Sequence, residues 1–123
     1  MLAGLAGQTI RPYVDLVLEA ILWHGGERAA ARDRFKALPA ADRVVGLGGG
    51  MTMDAAKYVA WRRGIPVVLA PSVVSVDAPV TNTIAVRRDG SVVYDGFIVA
   101  EAIVADLELI GNAPAHLNRA GVG

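Results

Sequence analysis

Three consecutive glycines, Gly48, Gly49 and Gly50, close a short apolar run and open a helix-like pattern carrying Asp54 and Lys57. A second apolar run ends in PSVVSVD, residues 71–77, with hydroxyls at Ser72 and Ser75 and a carboxylate at Asp77. Glycine at a strand-to-helix junction lets the backbone take positive φ and approach a ligand closely. The first turn of the following helix offers unpaired N–H groups and a partial positive charge. A diphosphate suits such a place, with the hydroxyls and the acid at a neighbouring strand end to hold the rest of the ligand. The same residues also make ordinary turns, because glycine, serine and aspartate dominate turns with or without a ligand. For the glycine pattern alone, the two readings weigh about equally.

Two familiar phosphate motifs are excluded. A GxGxxG beginning at Gly46 requires glycine where Met51 stands, and no Gly-Lys-Ser/Thr ending is present for a P-loop. Asp54 reads first as an acid in the opening helical turn, favourable to the dipole; the other reading is a bond to a ligand or a loop amide. Lys57 reads as a solvated helix residue within reach of a phosphate or an acid. His24 reads as a helix-end residue and His116 as polar surface, neither having a partner at metal-ligand spacing.

These residues need elements to position them. Residues 44–47 are short, apolar and β-branched at the start, which suits a buried parallel strand. Residues 53–63 read as a helix ending in Arg62 and Arg63, with Gly64 as its stop and Pro66 beyond. Residues 67–70 form the next strand. The unit is βαβ, with two parallel strands and a right-handed crossover. Upstream, Ile10, Tyr13, Val14, Val17, Leu18, Ile21 and Leu22 make one helical stripe, with Pro12 in the first turn and Gly25-Gly26 as the stop. Residues 27–40 fit either a helix or an edge strand. Downstream, Asp89-Gly90 between Thr83–Arg88 and residues 91–94 signals a hairpin. Residues 97–104 form an apolar run that returns to the sheet, and Asn112, Ala113 and Pro114 start a last helix carrying Leu117 and ending near Gly121. The fold class is α/β, a Rossmann-like parallel sheet flanked by helices with an added β-hairpin.

Composition narrows the class of function. The chain has 123 residues, enough for one domain. Hydrophobic residues make up 54%, so a core can form. Twelve basic residues balance 12 acidic ones, which argues against a nucleic-acid partner. The absence of cysteine removes disulfides and thiolate metal sites. No apolar run reaches the roughly 18 residues of a membrane span, and the N-terminus lacks the pattern of a signal peptide. The expected setting is cytoplasmic.

The stretch GGGMTMDAAKYVAWRRGIPVVLAPSVVSVDAPVT resembles the glycine loop and downstream turn of the iron-containing alcohol dehydrogenase superfamily. The combination GGG-x3-D-x-A-K-Y, then I-P, then P-[ST]-x-x-S-x-D, most resembles its sn-glycerol-1-phosphate dehydrogenase branch. The tail, IVADLELIGNAPAHLNRAGVG, resembles the family's approach to its metal site. The resemblance covers residues 43–123 and implies a nicotinamide cofactor, NAD or NADP, at Gly48, Gly49, Gly50 and Asp54. It further implies that Ser72, Ser75 and Thr81 line that cofactor, with Asp77 near nicotinamide and substrate. Ser72 stands where threonine is usual and Thr81 where serine is usual. Ala78 stands where this branch often has glycine.

The resemblance also implies what the chain lacks. The first strand, whose turn chooses between NAD and NADP, has no counterpart in the sequence. The family's metal ligands, an aspartate after GxG and two later histidines, would follow Gly121-Val122-Gly123. The reading that follows is a single incomplete dinucleotide-binding domain over residues 1–123, without the helical domain that holds zinc or iron. Such a chain is expected to bind a nicotinamide cofactor and a polyol phosphate but to catalyse nothing alone. It is expected to self-associate or to pair with a missing C-terminal half. The alternatives are a non-catalytic nucleotide-binding domain and a fragment like dehydroquinate synthase or glycerol dehydrogenase.

Overall fold

The computed structural model describes residues 38, 40–88 and 91–122. The opening helix, most of residues 27–40, His24 and the Asp89-Gly90 tip lie outside the described residues. Strand β1 (Val44–Gly48) leads through Gly49 into helix α1 (Gly50–Arg63) and on to β2 (Val67–Pro71). A hairpin follows, β3 (Thr83–Arg88) and β4 (Ser91–Phe97), then a two-residue strand β5 (Ala102–Ile103) and two short helices, α2 (Leu107–Gly111) and α3 (Ala115–Ala120).

β1, β2 and β5 form a parallel sheet in that order, with Val44 opposite Val67 and Val68 opposite Ala102. The hairpin is a separate antiparallel pair with an irregularity between Thr83 and Ala85. The expected α/β architecture with an added hairpin is therefore present.

α1 forms the crossover and closes one face of the sheet. Met53, Ala56, Val59 and Ala60 are buried on it, packed with Val44, Val67, Leu69 and Ala78. The helix can lie close to β1 because small residues meet there: a Cβ on Gly46 would stand 2.7 Å from that of Ala56. Burying each of the larger apolar side chains contributes about 1.5–3 kcal/mol. The helix ends at Gly64, which adopts the left-handed conformation at φ 64°, ψ 35°. The Ile65 N–H then bonds the Ala60 carbonyl at 3.1 Å, the long bond of a Schellman ending.

Four sequence expectations are corrected. α1 begins at Gly50, three residues before the expected start, because glycine at the junction enters the helix. Asp54 consequently lies beyond the first turn, which contains no acid. Of the apolar run 97–104, Phe97 completes β4 and only Ala102–Ile103 pairs with β2. Helix α2 was not anticipated; its start is marked by Asp106, whose carboxylate accepts from the Glu108 and Leu109 N–H groups at 3.0 and 2.9 Å. The last helix does follow Pro114 and end at Gly121 as read.

Candidate dinucleotide site

Gly48 sits at the carboxyl end of β1 with φ 152°, a conformation that favours glycine, and a Cβ there would press on the Thr52 side chain. Its carbonyl accepts from the Ser72 N–H at 2.9 Å, tying the end of β1 to the end of β2. Gly49 is the N-cap of α1, in extended backbone at φ −86°, ψ −173°, and no side chain caps the helix. The N–H groups of the first turn have no partner within the helix. A Cβ built on Gly49 would meet only Val73 Cγ1, at 3.4 Å. The helix end is half-buried: it is approachable on the Gly49 side, whereas Val76 closes the Gly50 side.

Across from it, residues 77–81 form a single turn in which the Asp77 carbonyl accepts from the Val80 and Thr81 N–H groups at 2.9 and 3.0 Å. Between them lies a cavity of about 490 Å³, within the range usual for small-molecule sites. One wall is Gly49, Gly50, Met51, Thr52 and Asp54 of α1; the second is Ser75, Val76, Asp77, Ala78 and Thr81; the hairpin supplies Thr83, Ala85, Val86, Val92 and Tyr94. Tyr58, one turn further along α1, lines it as well.

The structure therefore brings Gly49, Gly50, Asp54, Ser75, Asp77 and Thr81 to one cavity, while Gly48 and Ser72 do not line it. Those two act through the backbone bond that joins the two strand ends. Asp77 is exposed, and Ser75 and Thr81 are half-buried. Asp54 serves the structure at the same time: its side chain is 16% exposed, and Oδ1 accepts from the Ala85 N–H at 3.3 Å and stands 3.0 Å from Lys57 Nζ.

Lys57 is not the solvated residue expected. It is fully buried, and Nζ donates to the carbonyls of Ala78, Thr81 and Thr83 at 2.9, 3.3 and 2.8 Å. The sequence held the signal, since Lys57 shares the apolar spacing of Met53, Ala56 and Ala60 on the face that meets the sheet. The aromatic and aliphatic hairpin wall was also missed. His116 is exposed on α3, as read. Outside the cavity lining, the exposed Arg43 guanidinium is held above its ordinary pKa by its hydrogen bond to Glu101 at 2.6 Å and by that carboxylate's charge.

Among the described residues, no group of three or more His, Cys, Asp or Glu side chains is placed to hold a metal ion. No described helix is long and apolar enough to cross a membrane.

Known proteins resemble this chain throughout. The family model for iron-containing alcohol dehydrogenase matches residues 6–114. A glycerol dehydrogenase of Pseudomonas putida is 31% identical over 98% of the chain, and the chain spans 35% of that protein. A glycerol-1-phosphate dehydrogenase [NAD(P)+] of Hyperthermus butylicus is 40% identical over 65% of the chain, which spans 23% of it. Among solved structures, the glycerol dehydrogenase of Schizosaccharomyces pombe superposes with a TM-score of 0.68 at 26% identity, over 79% of this chain and 26% of that one. The chain thus spans about a quarter to a third of the relatives it matches. With the match covering most of its length and the glycine junction and facing turn in place, the chain belongs to the iron-containing alcohol dehydrogenase family.

Proposed function

We propose that this chain forms the nicotinamide-dinucleotide half of a metal-dependent polyol or polyol-phosphate dehydrogenase, with NAD or NADP as the cofactor. The observation that carries the reading is the uncapped start of α1 at Gly49 facing the 77–81 turn across one cavity. The N–H groups that follow Gly49 would hold the diphosphate, and the missing side chain there would admit close backbone approach beside Val73. Gly48 and Ser72 hold the two strand ends in register beneath it. Ser75 and Thr81 offer hydroxyls to the nicotinamide end, and Asp77 stands at the substrate side. Asp54 fixes the start of β3 behind the site through Ala85. The bound nicotinamide supplies hydride chemistry.

The substrate class proposed is glycerol or its 1-phosphate, by similarity to a glycerol dehydrogenase and a glycerol-1-phosphate dehydrogenase. The described residues do not fit the divalent ion used by such dehydrogenases, because no three ligands converge among them. The ion's ligands then come from residues outside those described or from another polypeptide. With zinc, glycerol 1-phosphate and NAD+ added, the chain alone is expected to give no NADH above background. The cytoplasm is the compartment that suits a soluble nicotinamide enzyme.

The test is titration with NADH, followed by nucleotide fluorescence. The wild-type chain is expected to enhance and saturate the signal, and Gly49→Val to abolish it by filling the approach to the helix end. Equal binding by the two proteins would sink the assignment.

A further inference from the structure

Lys57 is the only buried charged side chain among the described residues. A lysine normally carries its ammonium to water, and burying that group is costly unless every N–H is met. Here four acceptors surround three N–H groups: the carbonyls of Ala78, Thr81 and Thr83, and Asp54 Oδ1 at 3.0 Å. The carbonyls come from one short stretch of chain, the 77–81 turn and the first residue of β3. Their dipoles point at a common centre and repel one another unless a positive group stands there. Lys57 does not line the cavity itself; it touches the backbone of residues that do.

We propose that Lys57 is the positioning residue of the 77–83 segment, its ammonium acting as a tethered monovalent cation that gathers three carbonyls and so sets Asp77 and Thr81 opposite the glycine end of α1. The functional meaning rests on the dinucleotide reading above, but the positioning itself is measurable without any nucleotide. Removing the cation leaves the carbonyls and Asp54 facing one another, and the turn opens. The site then loses its second wall while α1 and the sheet persist, because the apolar contacts of Met53, Ala56 and Ala60 do not involve Nζ.

The experiment compares the whole chain with Lys57→Ala and Lys57→Met. Exchange of the Val80 and Thr81 amides, both bonded to the Asp77 carbonyl, is followed by NMR without nucleotide, and NADH affinity is measured separately. In both variants, exchange of these two amides is expected to rise at least tenfold and NADH affinity to fall at least tenfold. Propylammonium, which matches the atoms removed in Lys57→Ala, is expected to recover at least threefold of each loss in that variant. Tetramethylammonium at the same ionic strength, having no N–H, should recover neither. Wild-type protection and affinity in Lys57→Met would overturn the proposal. So would either variant that stays unfolded with propylammonium present, since Lys57 would then be a residue of the whole core. If exchange responds as expected but the wild-type chain binds no NADH, the positioning role stands and the dinucleotide reading falls.

Discussion

The side chain of Asn118 on α3 holds Val74 from 44 residues away: Oδ1 accepts from the Val74 N–H at 3.1 Å. Its Nδ2 donates to the Ile110 carbonyl at 2.7 Å, so one amide joins α2, α3 and the loop that follows β2. Gly121 reinforces the contact by packing against the Val74 carbonyl so closely that a side chain there would overlap it. The two short C-terminal helices are therefore fastened to the loop that carries Ser75 and Asp77.

Asn118→Ala is expected to lower stability by about 0.5–1.5 kcal/mol, the net worth of a hydrogen bond whose partners water can reach. Urea unfolding measures it, and the Val74 amide should exchange faster in the variant. An unchanged midpoint together with unchanged Val74 exchange would show that the bridge contributes nothing.

Neighbouring glycines at the junction should respond differently. Gly49→Ala places its Cβ in ordinary van der Waals contact with Val73 at ordinary φ, so stability should shift by no more than about 0.5 kcal/mol. Gly48→Ala must hold φ 152° and press on Thr52, and it should lose about 1–3 kcal/mol. Thermal unfolding of the two variants side by side checks the order, and the reverse order would contradict the geometry.

Gly96 is the hairpin counterpart. It has φ 105°, and a Cβ would fall 2.7–2.9 Å from the Trp61 ring. Gly96→Ala is expected to destabilise by about 1–3 kcal/mol and to shift Trp61 fluorescence, because the ring must move to admit the methyl group. A variant with wild-type emission and stability would place the ring elsewhere.

The order of elements was legible because local signals and tertiary structure agree in the βαβ unit and the hairpin. The apolar runs at β1 and β2 and the stop at Gly64 each sit where structure and sequence coincide, and β3 pairs with β4 on either side of the hairpin signal. Less legible were features set by packing across the chain. Glycine is a poor helix former, so the start of α1 at Gly50 is not marked locally; Gly50 is admitted at the crowded junction, where a Cβ would strike Val76. Residue type points Lys57 to solvent, although its spacing puts it on the buried face. Carbonyls more than twenty residues away decide that burial, and no local pattern displays them. β5 is only two residues long, too short for periodicity to mark.

Large apolar side chains stand uncovered on the described surface, including Leu107 at 81%, Val122 at 84% and Tyr94 at 74% exposure. Apolar surface left in contact with water favours association. Sedimentation is expected to show concentration-dependent self-association, and a single monomeric species across a wide concentration range would refute it.

The central claim is that the cavity between Gly49 and Thr81 receives a nicotinamide dinucleotide. The most direct measurement is an NMR titration of the chain with NAD+ and, separately, NADP+, following assigned backbone amides. Saturable shifts are expected at Gly49, Gly50, Ser75 and Thr81 with at least one of the two nucleotides, and smaller ones at Leu107–Gly111 and Ala115–Ala120. Saturable shifts confined to other parts of the chain, or none with either nucleotide, would contradict it.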